Sequence, residues 1–143
     1  MTWNLDPALM AILLVVVLCW ALFAARAAVP PARWLAFLSG WLILSIALIS
    51  PLCNLSVALF SARIGQHMLI EFIAAPLIAL GFGWGTPSRS GATQTALCSA
   101  GIFAVALWFW HLPGPYLWTF RSEAAYWTMH VTLVAASVLL WRS

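Results

Sequence analysis

Long apolar runs separated by short polar breaks dominate the chain, and each run has the length of a helix that crosses a bilayer. A hydrocarbon core of about 30 Å takes about 20 mostly apolar residues. The first run, Ala8–Ala25, follows Asp6 rather than a cationic region, and a second comes soon after it, so it reads as a retained anchor. Arg26, Pro30, Pro31 and Arg33 form a polar turn. Trp34–Pro51 is the second run, stopped at Ser50-Pro51 because proline opposes further helix. Cys53–Arg63 is weakly polar and too short to cross, and reads as an interfacial turn or a brief amphipathic helix. Gln66–Gly85 is the third run, with Pro76 expected to kink it and Gly81, Gly83 and Gly85 expected to loosen its end. A Thr-Pro-Ser-Arg-Ser-Gly loop leads to the fourth run, Thr95–Leu112, which Pro113-Gly114-Pro115 closes, and Ala124–Trp141 is the fifth. The expected fold is all-α: one integral membrane helical bundle of about five transmembrane helices over residues 1–143, without internal repeats.

Composition agrees with lipid as the solvent. The chain is 65% hydrophobic and 6% charged, outside the range of a water-soluble domain. Its formal charge of +3 comes from six Arg set against three acids scattered along the chain, so no basic block exists to hold nucleic acid or anionic lipid. Cys19, Cys53 and Cys98 show neither a CxxC nor any metal-knuckle spacing and read as small packing residues. Arg26, Arg33, Arg89 and Arg142 fall at one set of span ends and Arg63 and Arg121 at the other. The positive-inside rule therefore puts the N-terminus outside and the C-terminus in the cytoplasm of a multi-pass membrane protein. Tryptophans sit at both boundaries as an interfacial belt: Trp3, Trp108, Trp110, Trp118 and Trp127 at one, Trp34, Trp84 and Trp141 at the other.

In that topology all three histidines lie toward the outer side on three different helices. His67 opens span three, His111 closes span four, and His130 lies about two turns below the outer end of span five. Glu71 is four residues below His67 on the same helical face and is the only acid inside a span. A carboxylate in hydrocarbon costs several kcal/mol unless protonated or paired, so such a residue faces the bundle and marks function. His130 is the partner at a matching depth. Imidazole suits copper, zinc and iron, and thioethers favour cuprous copper. His67, His111, His130 and Glu71, with Met68 or Met129 nearby, are thus the candidate metal site, Glu71 serving to orient or charge-balance the imidazoles. The competing reading makes each histidine a helix-end anchor hydrogen-bonded to a carbonyl, and each methionine a packing residue.

Several motifs resemble those of the bacterial cytochrome c oxidase assembly factors of the CtaG type. Ser50-Pro51-Leu52, Gln66-His67-Met68-Leu69 followed by Ala75-Pro76-Leu77 and Gly81, Trp110-His111-x-Pro113 with Tyr116, and His130 carry the likeness over residues 50 to 142. Span one matches only in hydropathy. The resemblance implies a membrane protein that assists maturation of the haem-copper oxidase, at copper delivery or insertion on the outer side of the cytoplasmic membrane, without catalysis. His67, His111 and His130 would be its metal- or partner-binding residues, copper its cofactor and oxidase subunits its partners, with a homo-oligomer also allowed. Members of the family commonly continue into further spans. Two positions depart from the pattern. Arg63 stands where a second histidine is frequent and cannot ligate a metal, so a site of four imidazoles is not expected. Glu71 stands where the family is usually apolar, and could supply an oxygen ligand or a counter-charge.

Two further readings compete with an assembly factor. A small haem-binding membrane cytochrome would use His67 and His130 as axial ligands and show visible absorption bands. A scaffold or transporter fragment would use the histidines only to anchor helices, with Glu71 as a packing or relay residue. An enzyme is the least supported class, since the chain has no Ser/His/Asp set, no paired carboxylates and no phosphate loop.

Overall fold

The computed structural model describes residues 3–83 and 89–143. Trp84, Gly85 and the first part of the Thr-Pro-Ser-Arg-Ser-Gly loop lie outside the described residues. The fold is all-α: among the described residues there are eight α-helices and one π-helical segment, and no strand. Five stretches are long and apolar enough to cross a membrane, namely Pro7–Arg26, Pro31–Ile49, Phe60–Phe82, Ala92–His111 and Glu123–Arg142. The chain divides into two compact units, Met1–Gly83 and Trp84–Ser143.

The first unit contains α1 (Pro7–Arg26), α2 (Pro31–Ile49), α3 (Pro51–Ala58), α4 (Phe60–Leu69), a π segment (Ile70–Ala74) and α5 (Ala75–Phe82). Asp6 caps α1 by accepting the Leu9 N–H at 2.9 Å, with Pro7 beside it. Prolines read as stops turn out to be starts as well. Pro31, Pro51 and, in the second unit, Pro113 occupy the first turn of a helix, where the missing N–H costs nothing. Cys53–Arg63 is therefore neither a turn nor one surface helix. It comprises most of α3, the extended residue Leu59 and the start of α4, and the third span begins at Phe60 rather than at Gln66.

Pro76 acts differently from the expected simple kink. Its ring has no N–H to give and crowds the carbonyl four residues back. The helix widens just upstream, where the Ala75 N–H bonds to the Ile70 carbonyl in the i→i+5 pattern. Helix α5 then ends with Gly83 in the left-handed conformation, φ 54°.

Small residues let α2 approach this third span closely. A Cβ on Gly40 would stand 2.7 Å from the Ala74 carbonyl oxygen, and one on Gly81 would overlap Phe37. Gly81 is thus a packing residue rather than a sign of a loosened helix end. Around the contact runs an aromatic column, with Phe37 stacked on Trp20 at 4.0 Å and edge-on to Phe82 at 5.5 Å. Trp41 Nε1 donates to the Leu13 carbonyl at 3.1 Å.

The second unit contains α6 (Arg89–His111), α7 (Pro113–Arg121) and α8 (Glu123–Arg142). Pro113-Gly114-Pro115 opens α7 instead of forming a plain loop. Helix α8 packs on both α6 and α7, with Trp110, Met129 and Leu133 as the buried centre. Trp110 is consequently a core residue, its Nε1 donating to Thr132 Oγ1 at 2.8 Å, rather than a belt residue like the exposed Trp108, Trp118 and Trp141.

Candidate functional site

Extending the third span back to Phe60 changes what its buried face carries. Counting in threes and fours, that face reads Arg63, Gln66, His67, Ile70, Glu71, Ala74, Ala75 and Ile78, all buried. Its first half is polar. Arg63 is 2% exposed, Gln66 0%, His67 6% and Glu71 4%. Arg63, His67 and Glu71 follow one another at four-residue steps over about 12 Å of helix. An α-helix overshoots by about 40° at each such step. Glu71 lies in the π turn and is buried, as His67 is on α4. Segments of this kind recur at functional sites.

Neighbouring helices supply the enclosure. Gln66 Nε2 donates to the Ala47 carbonyl of α2 at 2.9 Å, while its Oε1 is buried without a hydrogen-bond partner. In α3, Cys53 is buried, and Ser56, also buried, donates to the Cys53 carbonyl at 2.7 Å. A guanidinium, a carboxamide, an imidazole and a carboxylate thus share one enclosed stripe of a membrane helix. Groups of that kind are expensive to bury in lipid and are retained where they act on a ligand, a proton or a partner. The sequence reading placed His67 and Glu71 on a common face, and the structure does bring them there. It missed Arg63 and Gln66, although four-residue steps running back from Glu71 through His67 reach Arg63, and Gln66 lies three residues on from Arg63.

The other two histidines belong to the second unit. His130 is buried, its Nδ1 lies 3.0 Å from the Tyr126 carbonyl, and its ring lies 4.4 Å from that of Tyr126. His111 is exposed at the end of α6, with Nδ1 2.7 Å from the Leu107 carbonyl. A carbonyl only accepts, so Nδ1 carries the proton in both rings and Nε2 holds the lone pair a metal would need. For His111 this is also the geometry of a helix-end anchor. Met129 is a core residue at 1% exposure, and Met68 is exposed. Among the described residues no three His, Cys, Asp or Glu side chains form a group that could hold a metal ion.

No curated protein and no solved structure matches the chain. A family model does, that of the cytochrome c oxidase caa3 assembly factor (Caa3_CtaG), over residues 11–143. The match takes in the first span, which by motif alone was similar only in hydropathy. With nearly the whole chain covered, and with five helices of membrane-crossing length, this membrane protein belongs to the cytochrome c oxidase caa3 assembly factor family.

Proposed function

We propose that the chain assists the maturation of a haem-copper cytochrome c oxidase from within the bacterial cytoplasmic membrane, without catalysis, and that the buried stripe Arg63, Gln66, His67 and Glu71 is the part of it that acts. The observation carrying this reading is the enclosure of four polar side chains on one membrane helix of a chain in an oxidase assembly family. Hydrophobic packing alone needs none of them. Copper is the cargo of this reading, handled transiently by His67 with Glu71 in the first unit and by His111 and His130 in the second, and passed to oxidase subunits. Imidazole nitrogen suits copper, and a carrier that must release its cargo works with fewer donors than a resident centre. Burial of Arg63 within α4 removes it from the loop charges, leaving Arg26, Arg33, Arg89 and Arg142 against Arg121. That balance supports an outside N-terminus and a cytoplasmic C-terminus.

The test uses cells lacking the chain, complemented with the wild type or with the His67→Ala, His111→Ala, His130→Ala triple variant, followed by purification of the oxidase. The wild type is expected to restore activity together with haem and copper content. The triple variant is expected to yield oxidase with its haem but short of copper. Equal copper in the two preparations would end the cargo reading. Normal oxidase in cells without the chain would end the assembly role itself.

A further inference from the structure

Past the end of α2, the cover of the polar stripe passes to one short helix. Helix α2 runs antiparallel to the third span, with Gly40 against Ala74 and Ala47 against Gln66, and its last residue is Ile49. Arg63 lies three residues back along α4 from Gln66, beyond that end. Helix α4 packs chiefly on α3, and α3 buries Cys53 and Ser56. Helix α3 therefore closes the Arg63 end of the stripe.

This wall is held differently from α2. Helix α3 is eight residues long and lies between two extended residues, Ser50 with ψ 164° and Leu59 with ψ 122°, and no side chain caps its start. Ser56 donates its hydroxyl to the Cys53 carbonyl, within α3 itself. A tie to the rest of the unit comes from Asn4. Its backbone N–H donates to the Ile49 carbonyl at 2.8 Å, which fixes Asn4 to the end of α2, and from there its Nδ2 reaches Cys53 Sγ at 3.8 Å. Thiol sulfur is a weak acceptor, so this tie parts easily. The close contacts at Gly40 and Gly81 join α2 to the third span without involving α3, and they survive a rotation about Ser50 and Leu59. Hinges are a few residues at element ends that absorb changes in φ and ψ, and lids are drawn from the least stable parts of a fold.

We propose that α3 is a lid over the polar stripe, hinged at Ser50 and Leu59 and latched by Asn4 on Cys53, and that its opening is the route by which copper reaches His67. The inference rests on the stripe being the part of the chain that acts. Closed, the lid keeps Arg63 and His67 enclosed; open, it exposes them from the Phe60 end while α2 and the third span stay packed.

The experiment uses the full chain in detergent with Cys19→Ser and Cys98→Ser, which leaves Cys53 as the sole cysteine, and follows its reaction with N-ethylmaleimide. Cys53 is expected to react far more slowly than in the chain unfolded in sodium dodecyl sulfate. Asn4→Ala, which removes the latch, should speed the reaction about three- to tenfold. Leu59→Gly, which frees a hinge at an exposed side chain, should speed it about two- to fivefold. A cysteine introduced by Ala24→Cys at a fully buried position of α1, in a chain with Cys53→Ser, should react no faster in either variant, which separates opening of α3 from unfolding. In complemented cells, Asn4→Cys places a second thiol beside Cys53. With the disulfide formed, the oxidase should be short of copper, and adding Cys53→Ser should restore it. Unchanged Cys53 rates in both variants, equal acceleration at Ala24→Cys, or an oxidase with full copper while the disulfide is formed would each overturn the proposal. Failure of the assembly role shows separately, as normal oxidase in cells without the chain, and leaves the thiol rates as they are.

Discussion

The third span, Phe60–Phe82, and the fourth, Ala92–His111, have the same mean hydropathy of 1.5, yet half of the former is buried within the protein against 6% of the latter. The first is crowded by α2, α3 and the aromatic column; the second turns most of its surface outward. Equal hydropathy therefore conceals opposite roles. A helix enclosed by others can carry Arg63, Gln66, His67 and Glu71 inward, because neighbouring backbone and side chains replace the water these groups lose. A helix with few neighbours keeps its ionisable side chains near its ends, as α6 does with the exposed His111.

Substitutions that act differently in the two regions can break this contrast. The largest effect is expected at Arg63, where Arg63→Leu takes the cation out of a buried stripe that still holds His67 and Glu71. A loss of about 3–5 kcal/mol is expected, read as a lowered Tm in detergent and as failed oxidase maturation. His111→Ala should cost under about 0.5 kcal/mol by the same measurement. Next come the glycines. Gly40→Leu forces a side chain into the Ala74 and Ile78 backbone and should cost about 1–3 kcal/mol. Gly101→Leu on α6 meets nothing within 4 Å and should leave Tm almost unchanged. Similar losses at both glycines would show that α6 is covered as fully as the third span.

Within the second unit, Trp110→Phe loses the Thr132 hydrogen bond and should cost about 1 kcal/mol. Trp108→Phe, at an exposed position, should cost far less, and thermal unfolding of the pair measures how much core this more open unit possesses. The smallest effects concern helix caps, which depend on local backbone rather than on enclosure. Asp6→Ala in the first unit and Ser122→Ala in the second should each cost about 0.5–1 kcal/mol. Unequal losses in the two units would tie cap strength to surroundings.

Much of the architecture is legible along the chain. Five spans, a capping Asp6 and the shared face of His67 and Glu71 all follow from spacing and residue type. The start of the third span does not, because a weakly polar segment such as Cys53–Arg63 has the same hydropathy whether it lies on a bilayer surface or inside a bundle. Pro76 announces a disturbance without saying whether the helix bends or widens. Trp110 and Trp108 have the same composition around them, and only the side of α6 that meets α8 separates a core residue from a surface one.

Membrane residence, span number and family were decided by the sequence, since apolar length and ordered motifs are properties of a one-dimensional string and the cost of exposing backbone to lipid leaves helices as the solution. Which polar residues are enclosed was decided by the tertiary structure. Burial is a relation between helices far apart in the chain: Gly40 and Gly81 bring α2 against the third span, and the enclosure they help to create is what makes Arg63 a buried cation rather than a loop charge.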